Sequence, residues 1–378
     1  MTIEIRPFTS EHIEAVKAFN RRLAQGGSKR RFWESPVPEW LPRRERVPLY
    51  NEYFIAPEGD AVRGAYRLKP QPFAVRDEVV MIAAVTLPIS EGIIDPRFAV
   101  VGIQLIQHAM NRHPLLFGLG MGGFDSKFAR LVQAMKWRLV PCSFYFRVIH
   151  PHRFLRQITF LRRDRRRRFM LDALAYSGLG WLALKVAQAY KGLGRGVPTG
   201  IGYDIVPEFS AWADTLWERA RGAYAMIAVR DSTILNALYP VHNARFIRLQ
   251  VARRGKPIGW AVLLDTQMVG HKRFGGMRVS MVVDCLAEPG DELTVVAMAT
   301  QYLVHRGVDL IVTNQLHRDW CNAFARDGFL RGPSNAALEI FTASPMLAAR
   351  LDPFEPTAGR IHMTYSDGDG PINMLLPA

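Results

Sequence analysis

The chain has 378 residues, 49% hydrophobic and 11% aromatic, which is enough apolar material to bury a core and excludes global disorder. That length exceeds what one core ordinarily fills, so two domains are expected. Forty-nine Lys and Arg against 34 Asp and Glu leave a formal charge of +15, a field that favours nucleic acid, anionic lipid or polyanionic metabolites.

The chain opens with Met1-Thr2-Ile3-Glu4-Ile5-Arg6, which places an acid where a secretion signal would be basic, and no long apolar run follows it. A strand at 3–5 leads into a helix over 10–23. A strand hairpin follows over 53–73, its second strand carrying Gly64-Ala65-Tyr66. An apolar strand occupies 79–85. Asp95-Pro96 places proline at the first turn of a helix whose apolar face is Phe98, Val101, Leu105 and Ala109, and Pro114 ends it. A strand at 115–119 and a β-rich stretch at 142–149 complete the first half.

The second half repeats this order at an offset of about 195 residues. A strand at 203–206 and a helix over 208–221 precede a hairpin over 248–268 that carries Gly259-Trp260-Ala261. The strand 279–283, a helix capped by Asp291 and stopped at Gly307, the strand 310–313 and a β-rich stretch at 337–342 then follow. The expected fold is therefore α/β, a mixed α+β sheet flanked by helices, formed twice. The boundaries are an N-terminal domain at 1–150, a basic helical insert at 151–200, a C-terminal domain at 201–345 and a tail at 346–378.

That order, with a long apolar strand running through a turn into a long helix and another apolar strand, resembles the GNAT acyltransferase fold in tandem. Gly118-Leu119-Gly120-Met121-Gly122-Gly123, Ser143-Phe144-Tyr145-Phe146-Arg147-Val148, Val283-Asp284-Cys285-Leu286-Ala287, Asn314-Gln315-Leu316-His317, Gly332-Pro333-Ser334-Asn335 and Gly368-Asp369-Gly370-Pro371-Ile372-Asn373 resemble tandem-GNAT proteins of bacterial surface-polysaccharide gene clusters. The resemblance implies two acyl-CoA N-acyltransferase-like domains. It also implies acetyl-CoA or another acyl-CoA as donor and transfer to an amine or hydroxyl of a sugar or lipid-linked sugar in cell-envelope or exopolysaccharide synthesis. The splayed end of the fourth strand would bind the thioester and pantetheine, and the loop and helix N-terminus after it the pyrophosphate. The family's Arg/Gln-x-x-Gly-x-Gly/Ala loop is intact in neither half. The first half offers Arg97 with Gly102 at a different spacing, and the second offers Glu288-Pro289-Gly290-Asp291-Glu292, whose carboxylates oppose a phosphate. The donor is therefore expected in the first half, held by Arg97 and by the backbone at Gly118, Gly120, Gly122 and Gly123, where the absence of side chains lets a ligand approach. A simple glycine-rich turn is the alternative.

Three residues of the second half are candidates for the chemistry. Asp284 ends an apolar strand where the family often places an acid, to orient or deprotonate the acceptor; a turn or cap is the alternative. Asn314 and His317, with Trp320, leave the carboxyl end of a strand, where α/β sheets build their sites. His317 can carry protons at neutral pH, or these residues can simply start a surface helix. His150 and His152 read as structural or solvent-facing, and no metal is expected. Asp367-Gly368-Asp369-Gly370 lacks the later ligands of a calcium loop and reads as a tight turn, and the resemblance implies a tail folded over a site. Cys142, Cys285 and Cys321 lie far apart, which suits a reducing cytoplasm and neither a disulfide framework nor a zinc ribbon.

Between the halves, Arg162-Arg163-Asp164-Arg165-Arg166-Arg167-Arg168 precedes apolar helical sequence with Phe169 and Trp181. Charged residues and glycines interrupt that sequence, so it does not span a bilayer. It either lies on an anionic membrane surface, at the inner face, or packs between domains. Nucleic acid ranks behind both, since no reading helix accompanies the charge. Two other functions stay open: a Fem-like aminoacyl transferase that takes its donor from aminoacyl-tRNA, and a non-catalytic tandem-GNAT scaffold in polysaccharide assembly.

Overall fold

The computed structural model describes residues 3–159 apart from 121, 123 and 125, residues 161, 162, 164–178, 182 and 186, and the stretches 199–332 and 340–370. Two compact units divide these residues: the first takes them from 3–141, 340–358 and 367–369, the second from 142–332, 359–366 and Gly370. The first unit begins with β1 (Arg6–Pro7), α1 (Ile13–Gln25), β2 (Glu52–Glu58), β3 (Ala61–Val75) and β4 (Glu78–Ser90). It continues with α2 (Ala99–Arg112), β5 (Leu116–Leu119), α3 (Lys127–Ala134) and β6 (Arg138–Pro141). In the second unit come β7 (Ser143–Val148), α4 (Pro151–Gln157), α5 (Arg165–Tyr176), β8 (Ile201–Ile205), α6 (Ala211–Ala220), β9 (Met226–Ala228) and α7 (Ser232–Leu238). There follow β10 (Ile247–Arg253), β11 (Lys256–Gln267), β12 (Arg278–Ala287), α8 (Glu292–His305), β13 (Leu310–Gln315), α9 (Arg318–Arg326) and β14 (Leu330–Arg331). The chain then returns to the first unit with β15 (Ile340–Ala343), α10 (Pro345–Arg350) and α11 (Phe354–Ala358).

The first sheet runs β1-β2-β3-β4-β5-β15-β6, and the second runs β14-β7-β13-β12-β11-β10-β8. Within each, the long central strand pairs parallel with the next, β4 with β5 and β12 with β13, and the other pairings along these paths are antiparallel. The expected mixed α/β architecture, formed twice, is what the chain adopts.

One expectation is overturned. The stretch at 142–149 and the described part of 337–342, from residue 340 on, do not close the halves in which they lie: β7 pairs with β13 in the second sheet, and β15 inserts between β5 and β6 in the first. Each sheet is completed by a strand from the other half. The compact units divide at 141/142, α4 and α5 lie in the second, and the described residues after 345 are shared between the two. Periodicity reports that a segment is a strand, but not which strand it pairs with.

The first sheet is covered on both faces because its strands alternate. Phe54, Ala56, Tyr66, Leu68, Ala83 and Val85 pack against Val101, Leu105, Ile106 and Ala109 of α2, while Tyr53, Ile55 and Ala65 meet Val16, Phe19 and Leu23 of α1. The glycine shared by both hairpins has the same task in each unit. A Cβ on Gly64 would lie 2.8 Å from Val101 Cγ1, and one on Gly259 would lie 2.2 Å from Val295 Cγ2. Only glycine lets the long helix approach the sheet this closely.

Candidate functional site

In both units the parallel strand pair opens toward its carboxyl end. β4 pairs with β5 at Ala83↔Leu116 and Ala84↔Phe117, yet β4 runs on to Ser90. β12 pairs with β13 from Val279↔Leu310 to Met281↔Val312 and runs on to Ala287. A bulge follows the last pairing in each case: Arg67 opposes Thr86 while Ala65 opposes Ile89, and Leu263 opposes Val282 while Val262 opposes Asp284. The extra residue twists the strand away from its neighbour. The expected splay at the fourth strand is therefore present in each unit.

What lines the two openings differs. Counted from the last parallel pairing, Ala84↔Phe117 in the first unit and Met281↔Val312 in the second, Gly118 and Gly120 occupy the positions of Thr313 and Gln315. In the second unit Thr313 Oγ1 donates to the Val282 carbonyl at 2.9 Å, and Gln315 Nε2 donates to Thr313 Oγ1 at 3.1 Å and reaches Cys285 Sγ at 3.8 Å. Side chains thus close that opening. The corresponding positions of the first unit, Gly118 and Gly120, have none, and Gly120, at φ 86°, adopts a conformation that favours glycine. Gly122 is also at positive φ, 82°, and a Cβ added to it would lie 3.3 Å from Arg30 Nη2. Gly123 lies outside the described residues.

The helix entries differ as well. Before α2, Asp95 caps the short helical turn by accepting from the Arg97 amide at 3.0 Å. The Arg97 side chain is exposed and ion-paired with Asp95 at 2.6 Å, at the start of the helix where a phosphate would approach. Behind it Glu91 is buried between Arg22 at 2.7 Å and Arg63 at 2.9 Å. Burial alone would raise the Glu91 carboxyl, but hydrogen bonds from both arginines outweigh it and hold the group below the ordinary range. Before α8 the three carboxylates foreseen as opposing a phosphate are all engaged. Glu288 pairs with Arg219 at 2.9 Å, Asp291 pairs with Arg253, and the Glu292 carboxylate accepts from the Gly290 amide at 3.1 Å. The last contact places the protein's own anion at the helix N-terminus. Asp291 makes no side-chain cap, contrary to expectation, because Arg253 takes its carboxylate.

The three residues proposed for chemistry in the second unit are buried. Asp284 lies inside β12 rather than at its end, wholly inaccessible, and pairs with the equally buried Arg230 at 2.8 Å. Its oxygens also accept from Tyr239 Oη at 2.7 Å, Thr364 Oγ1 at 3.2 Å and the Cys285 amide at 3.0 Å. These donors are all the protein's own, and the carboxylate is closed off from solvent. His317 is the N-cap of α9: its Nδ1 accepts from the Asp319 amide at 3.3 Å, and Tyr224 packs edge-on with ring centroids 4.8 Å apart. Burial brings its pKa down to about 4. With Nδ1 an acceptor, neutral His317 carries its proton on Nε2, a donor rather than a base at neutral pH. Asn314 is buried on β13, opposite Phe144. Trp320 is fully buried and donates to Tyr224 Oη at 3.1 Å. His150 finds an acid after all, Asp309 at 3.0 Å. Among the described residues no group of three or more His, Cys, Asp or Glu could hold a metal ion.

A second polar constellation escaped the sequence reading. Arg67, Lys69 and Gln71 alternate along one face of β3, and all three are buried, as are Thr86 and Asp367. Arg67 Nε donates to Thr86 Oγ1 at 2.6 Å and Nη2 to Asp369 at 2.8 Å, with its guanidinium over the Trp33 ring. Lys69 Nζ lies 5.2 Å from the centroid of Trp40, and Gln71 Nε2 donates to Asp367 Oδ1 at 3.4 Å. Thr86 belongs to the part of β4 that has left β5, so this row meets the opening. The Asp367-Gly368-Asp369 segment crosses it, with a Cβ on Gly368 lying 3.0 Å from Leu119 Cδ1. A cavity of about 420 Å³ lies elsewhere, beside β6, between Trp137 and Phe354.

No protein-family model matches the chain, and neither does any of the curated proteins compared. Similar solved structures include a tandem GNAT protein from the clavulanic acid biosynthesis pathway, 14% identical with a TM-score of 0.47, over 90% of this chain and 98% of that one. A conserved protein of unknown function from Enterococcus faecalis V583, described as a probable N-acyltransferase, is 10% identical with a TM-score of 0.49, over 93% of this chain and 75% of that one. The N-myristoyltransferase of Saccharomyces cerevisiae with bound myristoyl-CoA is 8% identical with a TM-score of 0.47, over 91% of this chain and 79% of that one. Likeness at this level leaves reaction and substrate to the residues of the chain itself.

Proposed function

We propose that the chain is an acyl-CoA-dependent N- or O-acyltransferase whose donor lies in the opening of the first unit. The observation that carries this reading is the asymmetry between the openings: glycine at 118 and 120 where the second unit places Thr313 and Gln315. A thioester laid along the splayed part of β4 would meet backbone N-H groups able to stabilise the oxyanion of acyl transfer. The acceptor amine or hydroxyl attacks the thioester carbonyl, a C–N or C–O bond replaces the C–S bond, and the acceptor's proton leaves with CoA as the free thiol. The row Arg67, Lys69, Gln71 and Thr86 borders that place and supplies polar groups to orient an acceptor. Arg97, exposed at the start of the helix, is the group that would meet the donor's phosphates. The second unit has a supporting part in this reading, with Asp284 and Asn314 holding strands and His317 capping α9. A sugar or lipid-linked sugar of envelope or exopolysaccharide synthesis is the acceptor class we favour, on the resemblance of the glycine-rich and tail motifs.

Isothermal titration with acetyl-CoA and a longer acyl-CoA tests the reading. Gly118→Thr, which copies the second unit into the first, and Gly120→Glu are expected to abolish saturable binding, and His317→Ala to keep it. Absence of binding by the unaltered protein at millimolar acyl-CoA would overturn the donor assignment.

A further inference from the structure

The basic insert presents a face that acyl transfer does not use. α5 is held in the second unit on one side only, through buried Leu171 and Ala175. Arg162, just before it, is anchored to Asp172 at 2.8 Å, and Arg168 Nε donates to the Arg162 carbonyl at 2.8 Å. At about 100° per residue, Phe169, Met170, Ala173 and Tyr176 fall on the opposite side of α5. All four are exposed: Phe169 at 78%, Met170 at 55% and Tyr176 at 67%, with Ala173 likewise open. Leu161 before the helix and Leu182 and Val186 after it are also exposed. Arg165, Arg166, Arg167 and Arg168 fill the first turn and are exposed too.

Cations gathered at the first turn of a helix oppose its dipole, so this placement does not serve helix stability. Phe169, Met170 and Ala173 turn away from the unit, and Tyr176, though exposed, rests one edge on His152 and its face under the Arg156 guanidinium. Together they make an apolar stripe continuous with a dense positive cluster, which matches a surface that is anionic outside and hydrocarbon just beneath. A phosphodiester chain would answer the arginines but leave Met170 and Ala173 without a partner, since they offer no ring for a base to stack on. Among the described residues no helix is long and apolar enough to cross a membrane.

We infer that α5 docks the protein on an anionic lipid bilayer, with Arg165, Arg166, Arg167 and Arg168 against the headgroups and Phe169, Met170 and Tyr176 entering the interface. The inference stands apart from the acyl-transfer reading, because docking is measured without any donor.

The test is co-sedimentation of the full chain with vesicles of phosphatidylcholine alone and of phosphatidylcholine mixed with phosphatidylglycerol. Two double variants, Phe169→Ser/Met170→Ser and Arg165→Glu/Arg166→Glu, accompany it. All four positions face solvent, and circular dichroism verifies that both variants fold. Binding is expected only to the anionic vesicles, to weaken with added salt, and to fall by more than ~10-fold in each variant. Failure of the unaltered protein to bind anionic vesicles overturns the inference. So does binding that the serine variant leaves unchanged, which would reveal a polyanion site indifferent to hydrocarbon.

Discussion

His317 shows how a residue chosen for proton transfer can be occupied by its backbone. Its Nδ1 caps α9 and its burial lowers the pKa to about 4, so the ring is neutral near pH 7. In the unfolded chain the same group titrates near 6.5 and takes up its proton first as pH falls. The stability from the neutral buried ring is thus complete above about pH 6.5 and is lost as pH falls toward 4, a contribution on the order of 3 kcal/mol. Urea titrations between pH 7 and pH 4.5 are expected to show this slope in the unaltered protein and to lose most of it in His317→Gln. Glu91 is the acidic counterpart. Replacement by Gln leaves Arg22 without a carboxylate and Arg63 with Glu58 alone, and is expected to cost about 1–3 kcal/mol in urea denaturation. These roles were hard to read from the sequence. Arg230, Tyr239, Thr364 and Asp284 are far apart in the chain, and no local pattern foretells that they meet. The alternating Arg67, Lys69 and Gln71 look like the solvent face of a half-buried strand. That face is polar but covered, and only Trp33, Trp40 and the Asp367-Gly368-Asp369 segment make it an interior site.

Elements were more legible, because their signals are local. The helix beginning after Asp95-Pro96 and the hairpins around residues 59 and 255 appear where capping and turn residues place them. The glycine shared by the two hairpins was visible as a coincidence of register, and its cause is the helix that crosses it. Since a Cβ on Gly259 would meet Val295 at 2.2 Å and the Leu286 carbonyl at 2.8 Å, Gly259→Ala is expected to destabilise the protein by about 1–3 kcal/mol. Gly64→Ala, whose nearest contact is a side-chain carbon at 2.8 Å, should cost less. Thermal unfolding of the two variants side by side measures the difference, and equal shifts would contradict the packing account. Strand partners, by contrast, were illegible: β7 and β15 have the composition of closing strands, and nothing in either names the sheet it closes.

For the whole molecule, the exchange of β7 and β15 means that neither half of the sequence contains a complete sheet. A chain ending at residue 150 lacks β15, the strand that lies between β5 and β6, and retains β7 without β13. Such a fragment is expected to show no cooperative unfolding transition by circular dichroism and to aggregate through its open strand edges. The full chain should unfold cooperatively under the same conditions. Net charge belongs to this scale too. The excess of +15 was legible at once, whereas the exposure of Phe169, Met170 and Tyr176 beside the arginines, on which the proposed lipid docking rests, was not.

The same exchange has a consequence for synthesis on the ribosome. β5 emerges early, whereas the strand that must lie beside it is made some two hundred residues later. At ~5–20 residues per second the first sheet waits on the order of tens of seconds with an unpaired edge. A nascent chain in that interval is a natural client for a chaperone. Slowing translation after residue 150 should therefore lower the soluble yield, the opposite of what it does for proteins whose domains finish in the order in which they are made.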